Sequence, residues 1–388
     1  MENNAVHAMI ERAGEAASGE AGGTEPRREG QPPFRAEQIG SLLRPRPLTQ
    51  AYRLRNAGAL GEAEYREIQD RAIRNAVLMQ EQLGFAVVTD GEFRRGISWG
   101  PFVETTEGMT TEPAPFLFRG AEGETRGVEA PHNASPLRRG PSPAAAEYRF
   151  LAGITERRIK ITLPAPSMLH FWSGGSTYPD DAEFFAALAE LYRTEIAELA
   201  ALGCRYIQLD DVPLAMLCDP DIRAQVEAAG RDPDRLVGLY VEAINAALAR
   251  RPTDMVAGLH LCRGNFKGKW LAAGGYEPVA ERVFAEAKVD LVLLEYDGPR
   301  AGGFAPLRYL SKEKGAVLGL VSTKTPEMES AAALATQVKE ATRYVVLDRL
   351  AISPQCGFAS TVSGNPLSLE HEKRKLALVV ETARLVWG

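Results

Sequence analysis

Short apolar runs that end in polar or glycine residues alternate along this chain with longer stretches of helical periodicity. Eight such runs recur, mostly rich in Val, Ile and Leu, at residues 34–40, 85–89, 158–163, 205–209, 255–261, 289–294, 316–321 and 349–352. The intervening stretches predict helices that include residues 61–83, 180–202, 233–250, 277–287, 328–344 and 367–386. Alternating strands and helices indicate an α/β fold with a parallel sheet, and eight units predict a single (β/α)₈ TIM barrel. A doubly wound sheet is the alternative, but no GxGxxG motif follows the first run.

Two segments stand outside this alternation. Residues 1–33 are rich in Gly, Glu, Ala and Pro, which predicts a disordered lead-in before a catalytic domain at residues 34–388. Residues 105–149, after the second strand, are rich in Pro and Gly and contain no clear helical pattern. This insertion is expected to form a hairpin or lid over the mouth of the barrel, or else a mobile surface loop. Residues 216–231 lengthen the loop after the fourth strand.

Composition excludes several classes of function. The chain has 388 residues, 45% hydrophobic and 25% charged, which is ordinary for a globular protein and fits one barrel with insertions. A formal net charge of −6 gives no basic field for nucleic acid, and no run of 18 apolar residues predicts a membrane span. The N-terminus lacks the apolar core of a secretory signal, so the cytoplasm is the expected location. Four cysteines in such a long chain suggest metal binding or catalysis rather than a disulfide framework.

Candidate metal ligands follow three of the predicted strands, at the end where a barrel holds its active site. His260 and Cys262 are two residues apart on the fifth strand, so their side chains face the same side. Glu295 ends the sixth strand, and Cys356 follows the eighth. Imidazole, thiolate and carboxylate are all zinc ligands, so these four residues predict a tetrahedral Zn²⁺ site. Cys204 begins a strand away from the mouth and is expected in the core.

A pocket for an amino acid is expected beside the metal. Glu92 and Asp210 are carboxylates at strand ends that suit a substrate ammonium group, although a lone carboxylate there can equally form a salt bridge. Ser41 follows Ile39 and Gly40 and offers an N–H and a hydroxyl to a substrate carboxylate.

Aromatic and basic residues near these strand ends have two interpretations each. Trp99, Phe171 and Trp172 could form an apolar wall of the pocket or pack in the core. Arg94 and Arg95 could meet an anionic part of a substrate or form a solvated basic pair.

Four stretches match a known family: residues 87–95 (VVTDGEFRR), 260–266 (HLCRGNF), 294–297 (LEYD) and 353–358 (SPQCGF). From about residue 34 onward the chain resembles the C-terminal catalytic barrel of cobalamin-independent methionine synthase, and it is most similar to short, single-barrel bacterial members. The resemblance implies that His260, Cys262, Glu295 and Cys356 bind zinc. It also implies that the turn Ile39, Gly40 and Ser41, together with Glu92 and Asp210, binds homocysteine.

The implied function is a zinc-dependent methyltransferase that activates homocysteine as a zinc thiolate and methylates it to methionine. The chemistry is reasonable because a free thiol is only a few per cent ionised at pH 7 and zinc binding deprotonates it. One alternative is a thiol alkyltransferase that acts on another thiol or electrophile. Another is a zinc-stabilised barrel that binds a ligand without turnover. Decarboxylases of the same barrel superfamily fit less well because they have no use for these zinc ligands.

The sequence leaves three classes of methyl donor open: a methyl-folate, a methylated corrinoid protein and a sulfonium compound. Unlike the full-length enzyme, this chain has no room for an additional N-terminal barrel. In that enzyme a histidine after strand seven supplies a proton to the departing folate, and residues 320–324 here contain none. Lys324 could replace it only if burial lowers its pKa. Folate used in the manner of the two-barrel enzyme is therefore not expected.

Overall fold

The computed structural model of the protein describes residues 30–120, 123–126, 129–172 and 176–388. Its strands are β1 (Val87–Val88), β2 (Thr106–Pro113), β3 (Leu117–Phe118), β4 (Thr125–Arg126), β5 (Glu129–Arg139), β6 (Arg158–Ile159), β7 (Ile161–Pro164), β8 (Tyr206–Asp211), β9 (Val256–Leu261), β10 (Leu291–Glu295), β11 (Gly315–Val321) and β12 (Leu350–Pro354). β7 to β12 form a six-stranded parallel sheet in which strands consecutive in the chain are neighbours. The predicted α/β fold around a parallel sheet is confirmed.

Parallel pairing extends beyond both edges of this sheet. β6 pairs with β1, and the Lys160 N–H, between β6 and β7, donates to the Val88 carbonyl over 3.0 Å. At the other edge, Ala36 forms a single parallel bridge with Ile352 of β12. The first predicted strand, residues 34–40, is therefore reduced to this bridge. Its polar side chains bond elsewhere, as Gln38 does to Gln80 and Thr89.

The helices are α1 (Arg46–Asn56), α2 (Glu62–Leu83), α3 (Gly100–Glu104), α4 (Pro143–Ala152), α5 (Asp181–Ala201), α6 (Pro213–Met216), α7 (Pro220–Ala228), α8 (Pro233–Leu248), α9 (Glu277–Ala280, continuing as a π-turn over Glu281–Glu286), α10 (Ala331–Ala341) and α11 (Leu369–Trp387). Short 3₁₀ turns occur at Pro166–Leu169, Pro299–Ala301, Ala305–Tyr309 and Leu347–Arg349. The six predicted helices are all present, although the helix predicted at 328–344 shortens to α10. No helix among these is long and apolar enough to cross a membrane.

The predicted insertion contains more regular structure than its composition indicates. β2 and β5 form an antiparallel hairpin, and β3 pairs with β4 near its tip. The expectation of no helix is wrong at its end, where α4 begins within residues 105–149. Ser142 caps α4, since its hydroxyl accepts the Ala145 N–H over 2.8 Å, and Pro143 is the first helical residue. The long loop after β8 likewise contains α6 and α7.

The sheet is buried on both faces, as parallel sheets usually are. Leu291 and Leu293 of β10 pack in a small cluster on one face with Ile39, Val87 and Tyr206. Val292 and Leu294 point the other way, into the main core that the helices cover. Because side chains alternate along a strand, residues two apart near a strand end lie on the same face of the sheet and can meet there.

The start of the described chain is also packed. Gly30 and Pro32 are buried. Of the predicted disordered lead-in, residues 1–33, the part up to residue 29 lies outside the described residues.

Candidate functional site

Four side chains that could hold a metal ion meet beyond the ends of β9, β10 and β12. They are His260, Cys262, Glu295 and Cys356, and their ligand atoms all lie within 4.8 Å of one another. All four residues are buried. Adjacent parallel strands have their carboxyl ends at one edge, so three distant parts of the sequence converge here.

The contacts of these four residues fit a metal ion. The Nδ1 atom of His260 lies 3.3 Å from the Leu293 carbonyl, which leaves Nε2 buried and without a partner among the described residues. A carbonyl that fixes the imidazole in this way is the usual support of a histidine ligand. One oxygen of Glu295 accepts the Arg263 N–H over 2.8 Å, and the other lies 3.4 Å from the Arg300 guanidinium. Two sulfurs, one nitrogen and one carboxylate oxygen are a donor set typical of zinc.

The cysteines and the histidine of this cluster influence each other's pKa values. The Cys262 and Cys356 sulfurs are 3.4 Å apart. The hydrogen bond from Cys262 lowers the pKa of Cys356 well below its usual value, against the effect of burial. Burial disfavours a charged His260, but the neighbouring Cys356 sulfur raises the pKa of the imidazole to about 9. A cation that enters between them would replace a proton, so we expect metal binding to release protons.

A cavity of about 50 Å³ adjoins three of the four residues, and we call it the strand-end cavity. His260, Cys262 and Cys356 line it, as do the predicted substrate residues Ile39, Ser41, Glu92 and Asp210. Side chains predicted separately as metal ligands and as substrate ligands thus surround one space. The remaining lining comes from Ser98, Trp99, Pro164, Met168, Val212, Gly357 and Ser360.

Two glycines allow the backbone to approach closely around this cavity. A Cβ atom on Gly357 would lie 1.9 Å from the Ser41 hydroxyl oxygen, and one on Gly40 would lie 2.8 Å from a Glu92 carboxylate oxygen. Ser41 also accepts the Phe358 N–H through its carbonyl over 2.9 Å. The segment after β12 therefore packs directly against the first turn, which places Ser41 and Cys356 on the same cavity.

Glu92 is held in a rare backbone conformation. Its φ is +59°, and the preceding Gly91 also has a positive φ of +69°. The Glu92 N–H donates to Asp90 over 2.7 Å, while the Glu92 carboxylate accepts the Thr162 hydroxyl over 2.9 Å and lies 3.6 Å from Arg95. A strained residue fixed by several partners is common at functional sites.

Asp210 of β8 is paired in register with the metal ligand His260 of β9, and both line the strand-end cavity. Gln208, two residues earlier on β8, donates to its carboxylate over 2.7 Å and to the Ile39 carbonyl over 2.8 Å. Burial raises the pKa of Asp210 to about 7, although the neighbouring His260 opposes the shift. An ammonium group in the cavity would favour the charged carboxylate, so binding of such a cation and ionisation of Asp210 support each other.

Lys324, predicted as a substitute proton donor, is buried on another side of the metal ligands. Its ammonium group donates to the Gly264 carbonyl over 3.2 Å and lies 3.5 Å from the Asn265 side-chain oxygen. It does not line the strand-end cavity, and its catalytic role stays a prediction. Among the histidines of the described chain, His260 is the one that lines this cavity.

The basic pair predicted at 94–95 has neither of its expected roles. Arg95 is buried and donates to Glu147 over 2.6 Å and to Thr162 over 2.8 Å. Arg94 donates to Asp70 over 2.5 Å and stacks on Phe150. Arg95 thus supports the residues behind Glu92. Sequence reasoning also missed Gln208 and Thr162. Gln208 lies two residues before Asp210 and Thr162 two residues before Pro164, so each is on the same face of its strand as a residue of the cavity lining.

Of the three aromatic residues singled out in the sequence, two line cavities and one packs in the core. Trp99 lines the strand-end cavity, and Trp99 and Trp172 both line a second, larger cavity beside it. Phe171 is buried in the core, where it stacks on Phe116 with ring centroids 5.5 Å apart. Cys204 is buried in the core as predicted.

Comparison with known families decides the relationship of this chain. Residues 34–383 match the family model described as the catalytic domain of cobalamin-independent synthase. The chain belongs to the cobalamin-independent methionine synthase family. The protein is therefore a methyltransferase, and the resemblance inferred from the sequence is confirmed.

Relatives within this family match over most of their length. The uncharacterized protein YxjG of Bacillus subtilis is 39% identical over 363 residues, which cover 92% of this chain and 95% of YxjG. The methionine synthase of Pyrococcus horikoshii is 29% identical over 329 residues, 82% of this chain and 84% of that enzyme. The crystal structure of a putative vitamin-B12-independent methionine synthase from Listeria monocytogenes superposes with a TM-score of 0.73 at 33% identity, covering 92% and 98% of the two chains.

Proposed function

We propose that the protein is a zinc-dependent methyltransferase that converts homocysteine to methionine. The observation that supports this most is the strand-end cavity, because sulfur-binding and amino-acid-binding side chains surround one small space. His260, Cys262, Glu295 and Cys356 would hold zinc. A zinc ion with these ligands would lower the pKa of a thiol and keep it nucleophilic at neutral pH.

The residues of the chain would orient the amino-acid end of homocysteine. Ser41 offers its hydroxyl to the substrate carboxylate. Glu92 and Asp210 would bind the ammonium group, and Gln208 keeps the Asp210 carboxylate turned toward the cavity. This assignment uses both ends of one small molecule, because the proposed sulfur-binding and amino-acid-binding residues line a single cavity.

Two features of the fold complete the proposal. We infer that the parallel sheet closes as an eight-stranded barrel, with residues 34–40 as the strand between β12 and β1. Support comes from the bridge at Ala36 and from Thr89, whose hydroxyl donates to the Gly40 carbonyl over 2.9 Å. We also infer that the β2–β5 hairpin is a lid over the strand ends, since Ala130 and Pro131 of β5 line a cavity that Cys262 also lines.

The donor would not be a polyglutamyl methyl-folate used as in the two-barrel enzyme. A tertiary amine leaves poorly unless it is protonated, and residues 320–324, at the end of β11, contain no histidine to protonate it. Lys324 is bonded to Gly264 and Asn265 and does not line the strand-end cavity.

Calorimetry of homocysteine binding to the zinc-loaded protein tests the function. We expect binding with release of about one proton, counted in buffers of different ionisation enthalpy, because a bound thiol loses its proton. Asp210→Asn and Glu92→Gln should each weaken binding by about tenfold or more, as expected for a buried charge contact worth roughly 1.5–3 kcal/mol. Asp234→Asn, an exposed residue in the first turn of α8 and outside the lining of the strand-end cavity, is the control.

Mass detection of methionine completes this test. The panel of donors would contain methyl-folates of different tail length, methylcobalamin and sulfonium compounds. Unchanged homocysteine affinity in both carboxylate variants would rule out the proposed pocket. Failure of the zinc-loaded protein to bind homocysteine would also rule it out.

A further inference from the structure

A second cavity, of about 90 Å³, lies between the strand ends and the hairpin, and we call it the hairpin cavity. It shares Ser98, Trp99, Met168, Val212, Cys262 and Ser360 with the strand-end cavity, so the two spaces adjoin along one wall. The Cys262 sulfur belongs to both. A molecule in the hairpin cavity therefore lies beside the place where the proposed function puts the homocysteine sulfur.

The lining of the hairpin cavity is aromatic. Trp99, Phe118, Trp172 and Phe266 all contribute, and the rings of Phe118 and Phe266 are 5.4 Å apart. Aromatic faces carry partial negative charge and attract cations, most strongly when several rings surround one site away from water. Phe118 comes from the tip of the hairpin, so the insertion supplies part of this enclosure.

The charge of the cavity lining also favours a cation. Glu129 of β5 is the charged side chain of the lining, and no Lys, Arg or His of the described chain lines the cavity. Glu129 is fixed by a hydrogen bond from Thr111 on the facing strand. An anionic ligand would be repelled by the Glu129 carboxylate, whereas a cation would be attracted.

The size of the cavity limits the ligand. At roughly 10–15 Å³ of this volume for one water molecule, the enclosed part of the cavity holds a few small groups. The glutamate carboxylates of a methyl-folate would have the same sign of charge as Glu129. A corrinoid would have to bring a wide planar ring to a space that the hairpin covers.

We propose that the hairpin cavity binds the methyl donor and that the donor is a small sulfonium compound. This inference rests on the proposed methylation of homocysteine and adds the class of its second substrate. The homocysteine sulfur, having lost its proton, supplies the electron pair of the new S–CH₃ bond. The old C–S⁺ bond breaks with its pair going to the sulfonium sulfur. The products are methionine, an uncharged thioether and one proton, so no oxidant or reductant is needed.

Binding of a charged and an uncharged isostere tests the recognition of the cation without turnover. The probes are (2-hydroxyethyl)dimethylsulfonium and 3-methylbutan-1-ol, which differ by one charge at nearly the same shape, added to the zinc-loaded protein without homocysteine. We expect the sulfonium to bind at least about tenfold more tightly, measured by calorimetry or by tryptophan fluorescence. Equal affinities for the two probes would overturn the proposal.

Variants of the lining residues test whether the preference for the sulfonium arises in the hairpin cavity. Phe118→Leu and Phe266→Leu should each reduce the sulfonium preference several-fold while leaving the affinity for the alcohol unchanged, because leucine keeps the apolar contact and removes the ring. Glu129→Gln should also reduce the preference. Glu112→Gln is its matched control, on the same hairpin but outside the cavity lining. A preference that survives all three cavity variants would contradict binding in this cavity.

Transfer from a methyl-labelled sulfonium to homocysteine tests the donor class itself. Formation of labelled methionine and the matching thioether in equal amounts supports the proposal. Methionine formed from methyl-tetrahydropteroyl-triglutamate or methylcobalamin, but not from the sulfonium, would overturn the donor class while leaving the methylation of homocysteine intact. Failure of homocysteine to bind, with the sulfonium preference retained, would instead refute the proposed function and support the cation site.

Discussion

At the candidate site, the hydrogen bonds of each residue decide which of its atoms remain free to bind a ligand. His260 gives its Nδ1 to the Leu293 carbonyl and keeps Nε2 free. The Cys262 and Cys356 sulfurs contact each other at 3.4 Å. They would have to move closer together to form a disulfide. An unpartnered buried nitrogen beside two thiols is costly unless a cation satisfies it, which supports the cluster as a candidate metal centre.

Replacement of either thiol should abolish metal binding. We expect Cys262→Ser and Cys356→Ser to lose stoichiometric zinc, measured by elemental analysis after dialysis, because a hydroxyl does not ionise at neutral pH to become a ligand. Cys204→Ser is the matched control, since Cys204 is equally buried but bonds to the Tyr206 carbonyl in the core. One zinc per chain in both ligand variants would show that the cluster has another role.

At the scale of elements, the β2–β5 hairpin is an addition to the repeating strand–helix pattern. Thr106 and Arg139 pair at its base, while Ala130, Pro131 and Phe118 line the hairpin cavity. Arg139 anchors the base through Glu195 and Glu198 of α5. The base is thus bonded to α5, while the outer part packs on Phe171 through Phe116 and lines the hairpin cavity.

Removal of the outer hairpin should separate binding from transfer. With residues 107–138 replaced by a short Gly-Ser link between the paired ends, we expect zinc content and homocysteine affinity to stay within a few-fold. Methyl transfer should slow by at least about tenfold, since the donor would lose the enclosure that positions it. Rates would be compared at saturating homocysteine, with thermal melting as the control for folding. An unchanged rate of transfer would argue that the hairpin is a surface insertion.

At the scale of the whole molecule, the C-terminal helix is tied to the first turn of the chain by a buried carboxyl group. Glu372 of α11 accepts the Leu43 N–H over 2.7 Å, next to the turn that contains Ser41. Burial raises the pKa of Glu372 to about 8, and the Leu43 hydrogen bond only partly opposes this. The protonated carboxyl is therefore the form that the folded protein favours.

This shift predicts a pH dependence of stability. Because the folded pKa is raised, the contribution of Glu372 is fully present below its unfolded pKa and is lost as pH rises toward about 8. For one group the loss is at most about 1.4 kcal/mol per pH unit. We expect Glu372→Gln to flatten the decline in free energy of unfolding between pH 6 and pH 8, measured by urea denaturation.

Glu370→Gln, exposed on the same turn of α11, should leave that decline as it is in the unmodified protein. A Glu372→Gln variant whose stability falls with pH as steeply as that of the unmodified protein would assign the dependence to other groups.

The sequence by itself determined the succession of strands and helices, because periodicity and burial are local properties of the chain. Seven of the eight predicted strands form ladder strands, and the eighth remains as the bridge at Ala36. It also identified His260, Cys262, Glu295 and Cys356, since strand ends and residue types can be read without coordinates. The family was likewise evident from short motifs around those same residues, as the match over residues 34–383 confirms.

Only the tertiary structure decided how these residues are supported and what lies beside them. The role of Arg95 depends on Glu147, 52 residues away, and a basic pair in a sequence does not reveal whether a distant carboxylate will bury it. Gly357 and Ser41 meet across more than 300 residues, so the need for a glycine there is invisible locally. The hairpin cavity has the same origin. Its aromatic rings come from four separate segments, and their common enclosure exists only because the hairpin folds back over the strand ends.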